Sequence, residues 1–311
     1  MMPLQRVRIK QVDAFTKTAF AGNPAGVVTA AEGLSDEQMQ LIAREMNLSE
    51  TAFVLSARPA GGPATTVSAD LRLRWFTPTM EVDLCGHATI ATFHALCEEG
   101  KFGLAAVGSH QRRLETRSGV LTVQVENSGD GSPRILFSLP VPKFEPVQQG
   151  IDKLCRALHL DRKELHPDLP VVKHWVNTIL PVKRLKTVLK LQPDFTAVKK
   201  VSEELNVYGL TPLTLETVEP ESKVHIRFFG PRVGVNEDPV TGAAQGSVGV
   251  YLFEQGVLQG DEEILSYIGE QGDAIDRPGR VLVRVHQKAD KVTGVEIGGY
   301  AVTVFEGEMK F

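Results

Sequence analysis

Three residues able to carry a proton or hold a metal alternate in one short stretch: Asp83, Cys85 and His87, with Gly86 between the last two. The turn at Gly86 gives this spacing no familiar ligand geometry, and neither HExxH nor CxxC occurs, so no metal site is expected. The apolar stretch Ala88 to Cys97 has helical spacing, which places His87 at a helix start. The helix field there disfavours imidazolium and would keep the ring neutral. The same position lowers the pKa of a thiol, so Cys85 is a candidate for chemistry, with packing as its ordinary alternative. A second acidic pair, Glu237-Asp238, precedes Pro239 and a helix candidate beginning at Gly242. Its ordinary role is support of that helix N-terminus.

Glu50 stands at a junction between a helix and a strand. As an exposed group it would titrate at about 4.3, too low for an efficient acid near neutrality. Desolvation would raise it and let it take and return a proton. Cys97, Cys155, His159 and His166 fall in no recognisable cluster. No GxGxxG follows a strand and no Walker A signature is present, so no cofactor is expected.

These residues need elements to hold them. Alternation from Val7 to Asp13 reads as a strand, and Ala25 to Ala30 as a second. Between them, Phe20 to Pro24 is a turn-forming loop. Ser35 is a helix N-cap with Gln38 in the capping-box position. Met39, Ile42, Ala43 and Met46 share the buried face of that helix, and Asn47-Leu48-Ser49 ends it. Thr51 to Ser56 and residues 70 to 77 read as strands, with residues 58 to 69 as a loop. Gln111 to Glu126 is a hairpin turning at Ser118-Gly119, and residues 127 to 133 are a linker or wide loop. Asp152 to Leu158, Asp194 to Leu205 and Gly242 to Phe253 are expected helices. Lys223 to Phe229, Val281 to Val285 and Val292 to Phe305 are expected strands.

Two segments echo each other. Leu73-Arg-Trp-Phe-Thr-Pro78 leads to Gly86-His-Ala, and Ile226-Arg-Phe-Phe-Gly-Pro231 leads to Gly242-Ala-Ala. Arg74 and Arg227 are 153 residues apart, and Gly86 and Gly242 are 156 apart, close to half the chain. Two matched blocks in the same order point to internal duplication. Each half would then offer a glycine-led helix start. The free N–H groups at Gly86, Gly242 and Ala243 would suit a carboxylate.

The sequence resembles the phenazine-biosynthesis PhzF-like isomerases of the diaminopimelate-epimerase-like superfamily. The resemblance rests on VDAFTKTAFAGNPAGVV (12–28), GLSDEQMQLIAREMNLSETAFVL (33–55), RWFTPTMEVDLCGHATIATFHAL (74–96) and RFFGPRVGVNEDPVTGAAQGSVGVYL (227–252). It implies an α/β (α+β) fold of two pseudo-symmetric domains, each a curved sheet or incomplete barrel around a central helix, with the ligand between them. Residues 1–129 would form the first domain, joined by the C-terminal strand 297–311, and residues 130–296 the second. It also implies cofactor-independent proton transfer on a small carboxylated metabolite.

By the same resemblance Glu50, in the NLSET match, is the acid/base carboxylate, and His87 and Asp238 complete the catalytic set. Asn23 would shape the cleft floor, and Ser49 would donate to a substrate carboxylate. LCGHAT also resembles the first block of two-cysteine epimerases and racemases, but Pro239 stands where a second cysteine is expected. A racemase, epimerase or hydroxyproline-type dehydratase using Cys85 is therefore the alternative activity. A non-catalytic metabolite-binding or protein-interaction module is the alternative outside enzymes. A homodimer is implied as well.

Composition narrows the rest. At 311 residues, with 42% hydrophobic and 23% charged residues, the chain is globular rather than disordered. A net charge of -4 argues against a general nucleic-acid binder. Three cysteines make no complete disulfide framework, and the first residues lack an apolar leader. No apolar run reaches 18 residues. A cytoplasmic, non-membrane protein is expected.

Overall fold

The structure is a computed structural model that describes residues 6–58 and 68–311. The expected loop at 58–69 lies mostly outside the described residues. Two compact units emerge, one running to Ser138 and taking back Gly298–Phe311, the other Leu139–Ile297. Among the described residues, no helix is long and apolar enough to cross a membrane.

The first unit contains β1 (Arg6–Ala14), β2 (Asn23–Val28), α1 (Asp36–Met46), β3 (Thr51–Leu55), β4 (Leu71–Phe76) and β5 (Glu81–Val82). It continues with α2 (Gly86–Glu98), β6 (Gly108–Thr116), β7 (Gly119–Asn127) and β8 (Arg134–Leu139). The α1 capping box forms as its residues dictate. The Gln38 N–H donates to Ser35 Oγ, and the Ser35 N–H donates to Gln38 Oε1. Its Met39, Ile42 and Ala43 face joins Val7, Ile9, Val28, Phe53 and Phe76 in one core. Asn47, in left-handed conformation at φ 50°, stops the helix and turns the chain back toward β3.

The second unit contains β9 (Glu145–Pro146), α3 (Ile151–Ala157), β10 (Val172–Lys173), β11 (Asn177–Pro181), α4 (Leu185–Lys190), α5 (Phe195–Leu205) and β12 (Gly209–Thr214). Then come β13 (Ser222–Ile226), β14 (Phe228–Gly230), β15 (Val235–Asp238), α6 (Gly242–Glu254), β16 (Ile264–Gln271), β17 (Gly279–Lys288) and β18 (Lys291–Gly299). The last strand, β19 (Ala301–Lys310), pairs antiparallel with β1.

The units share their pairing scheme. β1 lies antiparallel to β2, and β2 parallel to β3. β10 lies antiparallel to β11, and β11 parallel to β12. β3 and β4 are antiparallel, as are β12 and β13. β4 then runs parallel to β6, as β13 does to β16, and β6–β7 and β16–β17 are antiparallel hairpins. Each scheme includes a 13-residue buried helix, α2 or α6, directly after the short strand that ends the Arg block. In α2 every residue from His87 to Cys97 is buried.

Several expectations need correction. Of the two readings of residues 127–133, linker or wide loop, the loop holds: it joins β7 to β8 within the first unit, because β8 pairs with β7 from Glu126↔Arg134 to Val123↔Phe137. A division at 129/130 would cut that ladder, whereas the compact units part at the end of β8. The strand expected over Lys223–Phe229 is interrupted at Arg227. Its N–H donates to the Pro212 carbonyl, but Pro212 has no N–H to return. The strand expected over Val292–Phe305 is two strands that break at Tyr300.

Candidate active site

Glu50 is placed by its neighbours in the chain. The turn at Asn47 ends α1, and the Gly26 N–H on β2 donates to the Glu50 carbonyl at 3.1 Å. Gly26 permits this approach, since a Cβ there would lie 2.7 Å from Thr51 Oγ1. The Glu50 side chain is 18% exposed. Burial pushes its carboxyl above the ordinary value of 4.5, and hydrogen bonds from Ser49 and Cys85 oppose that rise without cancelling it.

His87 arrives from a different element, the first turn of α2. Its Nε2 is 3.4 Å from Glu50 Oε2 and 3.2 Å from Ser49 Oγ. Its Nδ1 is 3.4 Å from Cys85 Sγ. Cys85 is the extended residue immediately before α2. Its carbonyl accepts from both the N–H and the hydroxyl of Thr89, which leaves the thiol to point at Glu50 and His87. Gly86 lets this turn sit under Phe137, whose ring tip would be 3.2 Å from an added Cβ.

The structure thus brings Ser49, Glu50, Cys85 and His87 into one cluster within the first unit. Cys85 is there as a polar contact and not only as packing. The other two thiols differ, because burial pushes Cys97 up to about 12 and raises Cys155 as well. Asn23 opens β2 and is buried. Gly22 before it, at φ +63°, admits no side chain, since a Cβ would meet the Ala14 carbonyl oxygen.

In the second unit, Asp238 ends β15. Its Oδ2 accepts from Thr241 Oγ1 at 2.5 Å, and its carbonyl accepts from Gln271 Nε2. Thr241 is the extended residue before α6, whose first residues are the buried Gly242 and the half-buried Ala243. Neither Cys85 nor Thr241 caps its own helix with its side chain. The first amides of α2 and α6 therefore keep the donor character of an uncapped helix start.

The echoed arginines brace these segments, a role that the residue types alone did not reveal. Arg74 grips Glu81 through Nε and Nη2 at 2.7 and 2.8 Å. Arg227 grips Glu237 through the same atoms at the same distances. Each guanidinium also lies over the phenylalanine two residues later, at 5.0 Å for Phe76 and 4.8 Å for Phe229. Glu81 leads to Cys85 and His87, and Glu237 is the residue before Asp238. The signal in the sequence was the Arg-aromatic-Phe repeat followed by an acidic loop.

Known proteins resemble this chain along nearly its whole length. Residues 12–307 match the family described as phenazine biosynthesis-like protein. An uncharacterised isomerase of Clostridium acetobutylicum is 36% identical over 313 residues, spanning 98% of this chain and 99% of its own. The uncharacterised isomerase YfhB of Bacillus subtilis is 35% identical, spanning 96% and 97%. The crystal structure of the phenazine biosynthesis protein, PhzF family, of Bacillus anthracis superposes with a TM-score of 0.86. It is 33% identical and spans 98% of this chain and 99% of that one. The fold is accordingly the two-domain α/β fold of diaminopimelate-epimerase-like proteins, with curved sheets around central helices.

Proposed function

The chain belongs to the phenazine biosynthesis-like family, and from that premise we propose that it is a cofactor-independent isomerase moving a proton on a small carboxylated metabolite. One observation carries the mechanism: a carboxyl raised by burial, Glu50, sits within hydrogen-bond reach of an imidazole and a hydroxyl. A raised carboxyl is matched to taking a proton from carbon and returning it near neutral pH. The relatives from Clostridium acetobutylicum and Bacillus subtilis are named as isomerases, which supports the reaction class.

In this reading Glu50 removes a proton next to a carboxylate-bearing carbon and delivers it elsewhere on the same molecule. His87, in the first turn of α2, donates a hydrogen bond to the oxygen on which charge develops. Ser49 and the uncapped amides at Gly86 hold the substrate carboxylate. Asp238, with Gly242 and Ala243 at the start of α6, supplies further contacts to the substrate. Asn23, buried at the start of β2, shapes the floor on the side of the first unit.

The experiment is proton exchange in deuterium oxide with a panel of cyclic and linear amino, hydroxy and unsaturated acids. Migration of a double bond with only partial deuterium incorporation, the rest of the product keeping the substrate's own proton, is the expected outcome. No exchange and no conversion with any acid that binds would sink the isomerase reading in favour of a binding module. A second reading, racemisation or dehydration through Cys85, is favoured by the thiol contact with His87. Deuterium washout without net conversion, lost in Cys85→Ser, would support it.

A further inference from the structure

Three donor atoms of different chemical kinds meet in the first unit. A carboxylate oxygen of Glu50, the thiol of Cys85 and a ring nitrogen of His87 all lie within 4.8 Å of one another. Glu50 Oε2 and His87 Nε2 are 3.4 Å apart, and Cys85 Sγ and His87 Nε2 are 4.0 Å apart. A tetrahedral zinc ion with bonds of about 2.0 Å to nitrogen and oxygen holds those two ligands about 3.3 Å from each other. With a bond of about 2.3 Å to sulfur, the sulfur–nitrogen edge is about 3.5 Å. The first pair already has the required separation, and the second needs a small rotation of the Cys85 side chain.

Spacing in the chain did not reveal this set, because Asp83, Cys85 and His87 alone do not close around an ion. The fold adds Glu50 from the turn between α1 and β3. We propose that Glu50, Cys85 and His87 form a Zn²⁺ site whose occupation switches the enzyme off. On binding, the Cys85 S–H bond breaks, its proton goes to solvent and a zinc–sulfur bond forms. Nε2 gives up Ser49 for the ion, and water takes the fourth position. A thiolate–imidazole–carboxylate set selects zinc over magnesium or calcium, which prefer oxygen ligands alone. The ion takes the lone pair that Glu50 needs to accept a proton, so metal and turnover exclude each other. That inhibitory half rests on the proton-transfer reading above.

The other mixed cluster among the described residues, His225, Glu270 and Asp273, lacks these properties. It has no thiol. Glu270 is fully buried and already accepts the N–H groups of Val218 and Glu219 and faces His225 Nδ1.

The test uses the full chain, stripped with a chelator and titrated with Co²⁺ and then Zn²⁺. One equivalent of Co²⁺ should produce a sulfur-to-cobalt charge-transfer band together with intense tetrahedral visible bands, and Zn²⁺ should abolish both. Cys85→Ser should lose the charge-transfer band, and Glu50→Gln and His87→Gln should each bind Zn²⁺ at least tenfold more weakly. Circular dichroism of each variant checks the fold. A charge-transfer band that survives in Cys85→Ser assigns the ion to Cys97 or Cys155 and overturns the site. So does the absence of any Zn²⁺ binding at equimolar concentration. If the site binds zinc but the metal-free protein exchanges no substrate proton, the isomerase reading fails while the metal site stands. If zinc binds here and leaves exchange unchanged, the switch is wrong.

Discussion

Glu50 pays a desolvation cost for its position, and that cost has a measurable pH dependence. Its carboxyl is raised above 4.5 by burial, so in the window above 4.5 the unfolded chain loses this proton before the folded one does. The folded state then binds more protons, and stability falls as pH rises until the folded pKa is passed. Glu50→Gln has no such proton. Its stability relative to wild type should therefore increase between pH 4.5 and neutrality, as read by urea denaturation at several pH values; a flat difference would contradict the burial argument. The same variant should slow substrate proton transfer by at least about 100-fold, since the amide cannot accept a proton. Cys85→Ser should stay within about tenfold of wild type, because a hydroxyl can still donate to Glu50 while the base is untouched. Single-turnover exchange measures both.

At the scale of elements, the duplicated braces and the glycine contacts decide whether the site keeps its shape. Arg74 and Glu81 have side chains only 9% and 14% exposed, so removing the guanidinium leaves a poorly hydrated carboxylate facing the half-exposed Arg117 at 3.0 Å. Arg74→Met should cost about 3 kcal/mol or more, and Arg227→Met a similar amount through Glu237. Thermal or denaturant unfolding checks this, and an effect below about 0.5 kcal/mol would mean that the pairs are as weak as surface ones. Glycine in α6 lets that helix lie directly on its sheet. A Cβ on Gly249 would stand 2.7 Å from Val283 Cγ1 and 3.2 Å from Val285 Cγ2. Gly249→Ala should therefore destabilise by about 1–3 kcal/mol, although alanine is the better helix former. The three glycines in this helix are legible as a packing signal in the sequence. Gly26, which holds Glu50 through one backbone hydrogen bond, is not, since its role depends on a strand that arrives 25 residues later.

At the scale of the whole molecule, the two ends of the chain are tied together. β1 pairs with β19 from Arg6↔Lys310 to Ala14↔Ala301, with one register shift between Gln11 and Val12. Removing residues 301–311 strips one flank from β1 and should unfold the first unit, seen as loss of cooperative melting and exposure of the buried Trp75 in its fluorescence. A truncated chain that melts like the full one would show that β19 is dispensable. A homodimer remains our proposal from family resemblance. Light scattering at micromolar concentration should then return about 68 kDa, twice the 34.0 kDa of the chain, and a constant 34.0 kDa across the series would refute it.

Local signals in the sequence were sufficient for α1 and its capping box, for the α2 and α6 helices and for the repeat that pairs Arg74 with Arg227. Those depend on residues a few positions apart, where side-chain periodicity and capping chemistry act. They were insufficient for the short strands β11 and β12, whose residues are buried on both faces and show no alternation. They left residues 127–133 open between linker and wide loop, because a polar glycine-rich stretch reads the same whether it joins two strands or two domains. The family motifs in the sequence marked Glu50, His87 and Asp238 as candidates. Only the tertiary structure set Cys85 against Glu50 and His87 and gave Glu50 its burial. Desolvation and donor-to-donor distance arise from elements remote in sequence, so no pattern within one element could supply them.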